Sequence, residues 1–430
     1  MKNNKYIITI SYGNYVCGKG GTDKVILSQQ KIFNQNGYSV VHIYNVHGIG
    51  KYIKINNSNF WNVLIDGEFS GMFTTADVCN LILEFQKQNI NLYGIYIHHL
   101  KSINIYELIK MLDYVNSNIY FYIHDYMTIC PESGLIDDTG RFCGDDGFYY
   151  DKCYKCRYYN KKSISKISDI ELLFEKIKNK VTFIAPSEVA KNVWLKSYPD
   201  LEKNVKVIYH QKLKGEYKEN LEEISEKERL RIAFVGYQRK LKGWNHWKEA
   251  TQKILNNNIS EKLYQFGTAE DMLPNVEIVN VDFTKDLDSM ITMLRKYKIH
   301  CAVLWSLLPE TYSYTYYEAL AANCYVLTNS KSGNIAYQTS QNGNGFVAKD
   351  EDSLTNLLLN EKQLRTYINE FRQKKRFGPL YLLENDDIIQ TLFQKPIYVN
   401  GIIHNSISDV MKKYIIVSLK KLYIFLKKVF

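Results

Sequence analysis

The sequence predicts an α/β protein built from two doubly wound, mostly parallel sheets. Three observations carry that expectation. Short apolar runs recur along the chain and alternate with helical stretches, the arrangement a parallel sheet requires. The first run feeds a glycine-bearing loop, residues 13–21, which opens a helix. The same strand, loop and helix order starts afresh near residue 231, in a chain whose 430 residues exceed the usual size of one domain.

In order, 5–11 reads as a first strand and 22–36 as a helix, with Thr22 as N-cap and Asn36-Gly37 as its stop. Strands follow at 38–44, 93–98, 119–124, 181–185 and 205–209, and those at 93–98 and 119–124 end in histidine. A charged, weakly apolar stretch at 212–229 reads as the linker. The second unit begins with a strand at 231–236. A helix at 244–256, a strand at 262–267, a helix at 287–297 and a strand at 301–305 come next. The stretch 308–329 then holds a loop, a helix near 316–322 ending at Asn323, and a strand at 325–327. Residues 352–371 and 380–393 both read as helical. The expected domains are 1–215, with a cysteine-rich insert at about 128–160, and 228–393, followed by a terminal segment 394–430.

Composition narrows the function. Hydrophobic residues make up 45%, ordinary for a globular protein with ample core. Six of the ten surplus positive charges lie in 412–430, which leaves +4 for the rest of the chain. That balance argues against a nucleic-acid-binding body. The first ten residues, MKNNKYIITI, hold no apolar run of signal-peptide length. No run of about twenty uncharged apolar residues suggests a membrane span. The expectation is a cytosolic chain, peripheral on the inner face of the cell membrane, with cysteines reduced unless they hold metal.

The chemistry concentrates at Pro309-Glu310, followed after seven residues by Glu318. A turn made of Thr311, Tyr312 and Ser313 that enters a helix can present backbone N–H groups to a diphosphate. A carboxylate two turns further on can accept from ribose hydroxyls. On two surface glutamates alone this would be weak.

The surroundings strengthen it. Pro309-Glu310, seven residues, then Glu318-Ala319-Leu320-Ala321-Ala322 resembles the nucleotide-sugar site of family 4 retaining glycosyltransferases. Gly20-Gly21-Thr22-Asp23-Lys24, His124-Asp125, Phe234-Val235-Gly236 with Lys242-Gly243, Gly333-Asn334-Ile335 and Asn344-Gly345-Phe346-Val347 extend the resemblance over most of 5–370. It implies the GT-B fold, two Rossmann-like domains facing across a cleft. It also implies roles. Lys242, with Arg239, would neutralise the departing diphosphate. Glu318 would bind the ribose and Glu310 the hydroxyls of the donor sugar. Backbone near Gly20 and Gly21 would lie close to the diphosphate or acceptor, and His124 would contact the transferred sugar. No catalytic metal is implied, and no separate base. Two departures stand out: Tyr237 occupies the place where the family often has arginine, and Tyr312-Ser313-Tyr314 replaces a glycine-containing turn.

Two further constellations remain. Cys130, Cys143, Cys153 and Cys156 include a Cys-x-x-Cys pair in a loop-rich insert with Asp137, Asp138, Gly140, Gly144 and Gly147, a pattern suited to a structural zinc. An iron–sulfur cluster is the second choice, and four unrelated thiols the plain alternative. Cys17, Cys79, Cys301 and Cys324 read as inert. Residues 412–430 form an amphipathic pattern. Ile415, Leu419, Leu422, Phe425, Leu426 and Val429 take one side of a helix, and Lys413, Lys420, Lys421, Lys427 and Lys428 the other. That pattern suits an anionic membrane surface. His99 is a second-line site candidate, and His42 and His47 are given no role.

The leading expectation is therefore a retaining glycosyltransferase. It would move a sugar from a nucleotide-sugar donor to a lipid-linked or glycan acceptor in bacterial polysaccharide or lipopolysaccharide assembly. The alternatives are a nucleotide-sugar epimerase or a phosphorylase on the same fold, or a zinc-stapled nucleic-acid-binding protein.

Overall fold

The first strand, β1 (Lys5–Ile10), has every side chain after Lys5 buried, as a strand covered on both faces must. The computed structural model to which it belongs describes residues 2–429, apart from 19, 50–52, 55–57, 138, 140–141, 145–152, 154, 158–166, 220, 258, 269, 283–285, 287 and 375. From β1 the chain enters α1 (Gly21–Gln35) and returns as β2 (Ser39–Asn45), parallel to β1. After a short ribbon of β3 (Gly48–Ile49) and β4 (Ile53–Lys54) comes a hairpin, β5 (Phe60–Ile65) and β6 (Glu68–Thr74). The order continues with α2 (Thr75–Lys87), β7 (Asn91–Ile97), α3 (Ile105–Val115), β8 (Ile119–Tyr122), α4 (Ile167–Ile177), β9 (Val181–Ala185), α5 (Glu188–Leu195) and β10 (Val205–Val207). The eight-stranded sheet reads β10-β9-β8-β7-β1-β2-β5-β6 and is parallel except at β5 and β6. Strand order reverses between β1 and β7, the switch point where doubly wound sheets open a crevice.

The second sheet is parallel throughout. It runs β14-β13-β12-β15-β16-β17. Its strands are β12 (Arg231–Val235), β13 (Lys262–Phe266), β14 (Val276–Val279), β15 (Cys301–Val303), β16 (Tyr325–Asn329) and β17 (Gly345–Ala348). They alternate with α6 (Trp244–Asn256), α7 (Ser289–Lys296), α8 (Tyr314–Ala321) and α9 (Asn334–Asn342), and α10 (Glu351–Leu359) and α11 (Glu361–Gln373) follow. Its switch point lies between β12 and β15. The two units are the Rossmann-like pair expected of a GT-B arrangement. Asn323 takes a φ of 57° just past α8, as the reading of a left-handed stop requires.

Three expectations change. Residues 380–393 are not one helix: 380–384 end a strand, and only Asp386–Thr391 is helical, as a short 3-10 helix. β18 (Arg376–Glu384) pairs antiparallel with β11 (Gln211–Glu219), so the expected linker also starts as a strand. The reason is period two: Leu380 and Leu382 are buried while Tyr381 and Leu383 are exposed. The chain also leaves the second unit earlier than 393. Ile388 packs with Ile7, Phe33 and Tyr96 of the first unit, and Ile397 and Val399 join that unit's main core. Finally, the terminal helix, α12 (Ile407–Val429), starts five residues before the expected 412. Its Ile416 and Val417 pack on Val46, Phe60 and Met72. Lys413 pairs with Asp77 at 2.6 Å and Lys420 donates to Asn62 at 3.3 Å, so both turn toward the protein and not toward solvent. Ile407, Met411, Tyr414 and Ile415 face out. The side chains of Leu422, Phe425, Leu426, Lys427, Lys428 and Val429 lie outside the described residues.

Candidate active site

The carboxyl ends of both sheets face one cavity of about 420 Å³, within the size range of small-molecule sites. Gly20, Gly21, Thr22, Lys24, His124 and His210 line it from one side. Gly236, Tyr237, Lys242, Glu310, Glu318 and the 311–315 turn line it from the other.

Two helix N-termini reach the cavity. Gly20, not Thr22, is the N-cap of α1, since Asp23 folds back to accept from the Gly20 N–H at 3.0 Å and from the Tyr12 hydroxyl at 2.9 Å. Burial pushes the Asp23 carboxyl up against the pull of those two hydrogen bonds. The second terminus belongs to α8, which no side chain caps, so its first-turn N–H groups lack a side-chain partner. Its N-cap, Ser313, sits at φ 71°, a conformation glycine adopts at little cost. A serine in this conformation stores strain on the order of 1–3 kcal/mol.

Lys242 and Glu310 meet as an ion pair between the loops after β12 and β15. Ser306 Oγ adds a 2.8 Å bond to the same Glu310 oxygen. Two glycines fix this meeting. Gly243 follows Lys242 at φ 83°, and a Cβ there would lie 2.2 Å from the Trp305 carbonyl oxygen. Gly333 has φ 63°, and a Cβ there would lie 2.5 Å from the Glu310 nitrogen. Backbone bonds from Glu310 N to Ser332 O and from Asn334 N to Glu310 O complete the clamp.

The 311–313 turn also locks to the first unit. Thr311 Oγ1 donates to the His124 carbonyl at 2.6 Å, and the Thr311 carbonyl accepts from Ser187 Oγ at 2.6 Å. Tyr312 is buried, stacks on Tyr317 at 4.4 Å between centroids, and takes a 3.1 Å bond from Gln211 N–H on its hydroxyl. Thr311 and Tyr312 therefore hold the domains in register as well as lining the cavity.

Glu318 is buried at the far end and bound to Lys24 at 2.7 Å. His124 lines the cavity, its Nε2 lies 3.0 Å from His98 Nδ1, and burial holds its pKa well below the usual histidine range, so the ring is neutral. His210 is likewise held neutral by burial, at about 3. His99 lies 3.0 Å from Asp125 and outside the cavity lining.

Among the residues named from sequence, Glu310, Lys242, His124, Glu318, Thr311, Tyr312, Ser313, Gly20 and Gly21 all line the one cavity. Arg239 does not; it is exposed, and Tyr237 reaches the cavity instead. His210 and Lys24 were given no role. His210 follows a short strand just as His98 and His124 do, and that signal could have found it. Lys24 carried no such signal, because its partner lies 294 residues away.

The cysteine cluster gains little from the structure. Burial pushes the Cys130 thiol up to about 11, with the Cys143 and Cys153 thiols adding to the shift, and Cys143 Sγ donates to Leu135 O at 3.0 Å. Among the described residues no group of three or more histidine, cysteine or acidic side chains is placed to hold a metal. Asp138, Gly140 and Gly147 of that insert lie outside the described residues. The zinc reading therefore rests on spacing alone.

No family model matches the chain, and no curated protein does. Solved structures do. Anabaena HepE in complex with UDP-glucose is similar at 10% identity and a TM-score of 0.49, covering 99% of this chain and 100% of that one. S. aureus TarM, in a complex that includes UDP, is similar at 11% identity and a TM-score of 0.48, covering 98% and 100%. A glycosyltransferase from Rickettsia africae is similar at 13% identity and a TM-score of 0.47, covering 86% and 96%. These are likenesses in the course of the chain, and the roles of the site residues rest on their geometry here.

Proposed function

We propose that this chain is a retaining glycosyltransferase that transfers a sugar from a nucleotide-sugar donor to a lipid-linked or glycan acceptor. One observation carries the reading: two helix N-termini, two lysines and two glutamates from both domains converge on a single cavity of about 420 Å³. Helix N-termini and lysines are a site for a diphosphate, and the glutamates are acceptors for sugar hydroxyls.

In this reading Glu318 takes the ribose and Glu310 the donor sugar. Lys242 and the α8 N-terminus stabilise the charge that grows on the diphosphate as its bond to the anomeric carbon breaks. The acceptor hydroxyl attacks the same face, forms the new C–O bond, and passes its proton to the leaving phosphate oxygen. Neutral His124 offers the sugar a hydrogen bond and not a charge. No catalytic metal enters this scheme.

The setting is bacterial surface polysaccharide or lipopolysaccharide synthesis at the inner face of the membrane. Among the described residues no helix is long and apolar enough to cross a membrane. α12 instead offers an outward apolar row, with Ile407 85% and Tyr414 71% exposed, beside exposed Lys412 and Lys421.

The test is thermal stabilisation by a panel of nucleotide sugars, with release of nucleoside diphosphate as the activity readout. A donor at a hundred times its Kd should add about 2.7 kcal/mol. Stabilisation by none of them overturns the reading.

A further inference from the structure

Lys24 lines the cavity but has no step of its own in the transfer scheme, and its surroundings are specific. It stands on α1 one turn below Gly20 and Gly21, and its Nζ lies 2.7 Å from Glu318 Oε1 on α8 of the other domain. Both side chains are nearly sealed from solvent, at 5% and 7% exposed. The Tyr314 ring lies under the same ammonium, 4.5 Å from its centre. One turn further along the same face of α1, Ser28 bonds Glu384, at the end of the strand through which the chain recrosses to the first domain.

A buried ion pair is a poor choice for stability alone, because well-packed apolar side chains do as well without the desolvation cost. This pair also cannot exist in isolation within either domain. The two charges come from opposite domains, so separating the domains would break the pair and return each charge toward water.

We propose that Lys24 is a positioning residue of the donor site: it holds Glu318 from the opposite domain, so that nucleotide binding and closure of the cleft are one linked event. The inference rests on the donor-site reading above. The carboxylate has lone pairs to spare, so one oxygen keeps Lys24 while the group accepts from the ribose hydroxyls. Ribose binding then favours the closed cleft, and closure orients the carboxylate for ribose, a reciprocal coupling.

The experiment measures ADP, CDP, GDP and UDP binding by calorimetry, and the radius of gyration by solution scattering, for the whole chain. Wild type should contract on binding its nucleotide. Lys24→Met should weaken that nucleotide at least tenfold and abolish the contraction, and Lys24→Arg should return to within threefold. The Lys24→Met/Glu318→Gln double variant should lose no more than the worse single one, since both remove the same contact. A Lys24→Met chain too unstable to assay is replaced by Lys24→Gln, with the same expectation. If Lys24→Met binds and contracts like wild type, even at a lower Tm, the inference is overturned and the donor site stands. If wild type binds none of the four nucleotides, the donor-site reading falls and this inference with it.

Discussion

Replacing Lys242 with methionine separates catalysis from stability more cleanly than any other change at this site. The side chain is 43% exposed and its partner Glu310 16% exposed, so the ion pair lies near solvent, where such pairs contribute about 0–1 kcal/mol. Glu310 would also keep its 2.8 Å bond from Ser306. The Tm of Lys242→Met should therefore fall by no more than about 4 °C, the shift that about 1 kcal/mol gives in a domain of this size. The transition state should lose much more. Charge develops on the leaving diphosphate only as the bond breaks, and a positioned donor lost from such a site costs roughly 3–4 kcal/mol, a hundredfold to a thousandfold in kcat. Donor KM should change little, because the ground-state diphosphate keeps both helix N-termini. The assay is nucleoside diphosphate release from the donor found by stabilisation, run beside a thermal melt. A variant that melts like wild type and turns over within threefold of it would refute the assignment of Lys242. One that loses activity only by unfolding would show the residue to be structural.

Three further expectations follow from the same structure. Burial holds His42 at about 4 and His210 and His300 at about 3, so the folded chain cannot take up protons that the unfolded chain binds below about 6.5. Their depressed values leave stability intact above about pH 6.5 and erode it as pH falls toward those values, by roughly 4 kcal/mol for the three between pH 7 and 5.5; a Tm that stays level across that interval contradicts this. Protein purified under reducing conditions should carry one zinc per chain, and chelation should lower its Tm; elemental analysis finding neither zinc nor iron rules the cluster out. Deleting 412–430 should abolish co-sedimentation with anionic vesicles, to which each lysine near the surface contributes roughly 1 kcal/mol; unchanged binding means that α12 is not the anchor.

Much of the fold was legible because parallel strands announce themselves locally. A strand buried on both faces needs a continuous apolar run, and β1, β9, β12, β15 and β16 all show one. What escaped depends on partners distant in sequence. β11 and β18 stabilise each other across some 165 residues; β11 is too charged to read alone, and the unbroken apolar run 380–383 hides the period of two in β18. The β5–β6 hairpin had a local signal, Asp66-Gly67 with φ of 52° and 89°, the turn residues such a hairpin prefers. The expectation of a mostly parallel sheet passed over it.

The site divides along the same line. Lys242 and Glu310 could be named from sequence only through the family resemblance, and the structure adds why they meet: Gly243 and Gly333 each stand where a Cβ would collide with neighbouring backbone. Glu318 could be placed because a helix carries it at a set distance from the 311–313 turn. Lys24 could not be given a role. Its position beside the first-helix glycines was plain, but its partner is fixed only when two domains close face to face. A spacing rule reports contacts within one element, whereas the Lys24–Glu318 bond reports a domain orientation. The same holds for Thr311 on the His124 carbonyl and Ser187 on the Thr311 carbonyl. These interdomain bonds meet the very turn that would bind the diphosphate, so under the proposed function the loop that would recognise the donor would also sense whether the cleft is shut. Ser187 does not line the cavity, and its hydroxyl also caps α5 by accepting from Ala190 N–H at 3.1 Å; substituting it should therefore disturb donor binding through closure, with about 1 kcal/mol of stability lost alongside from the cap.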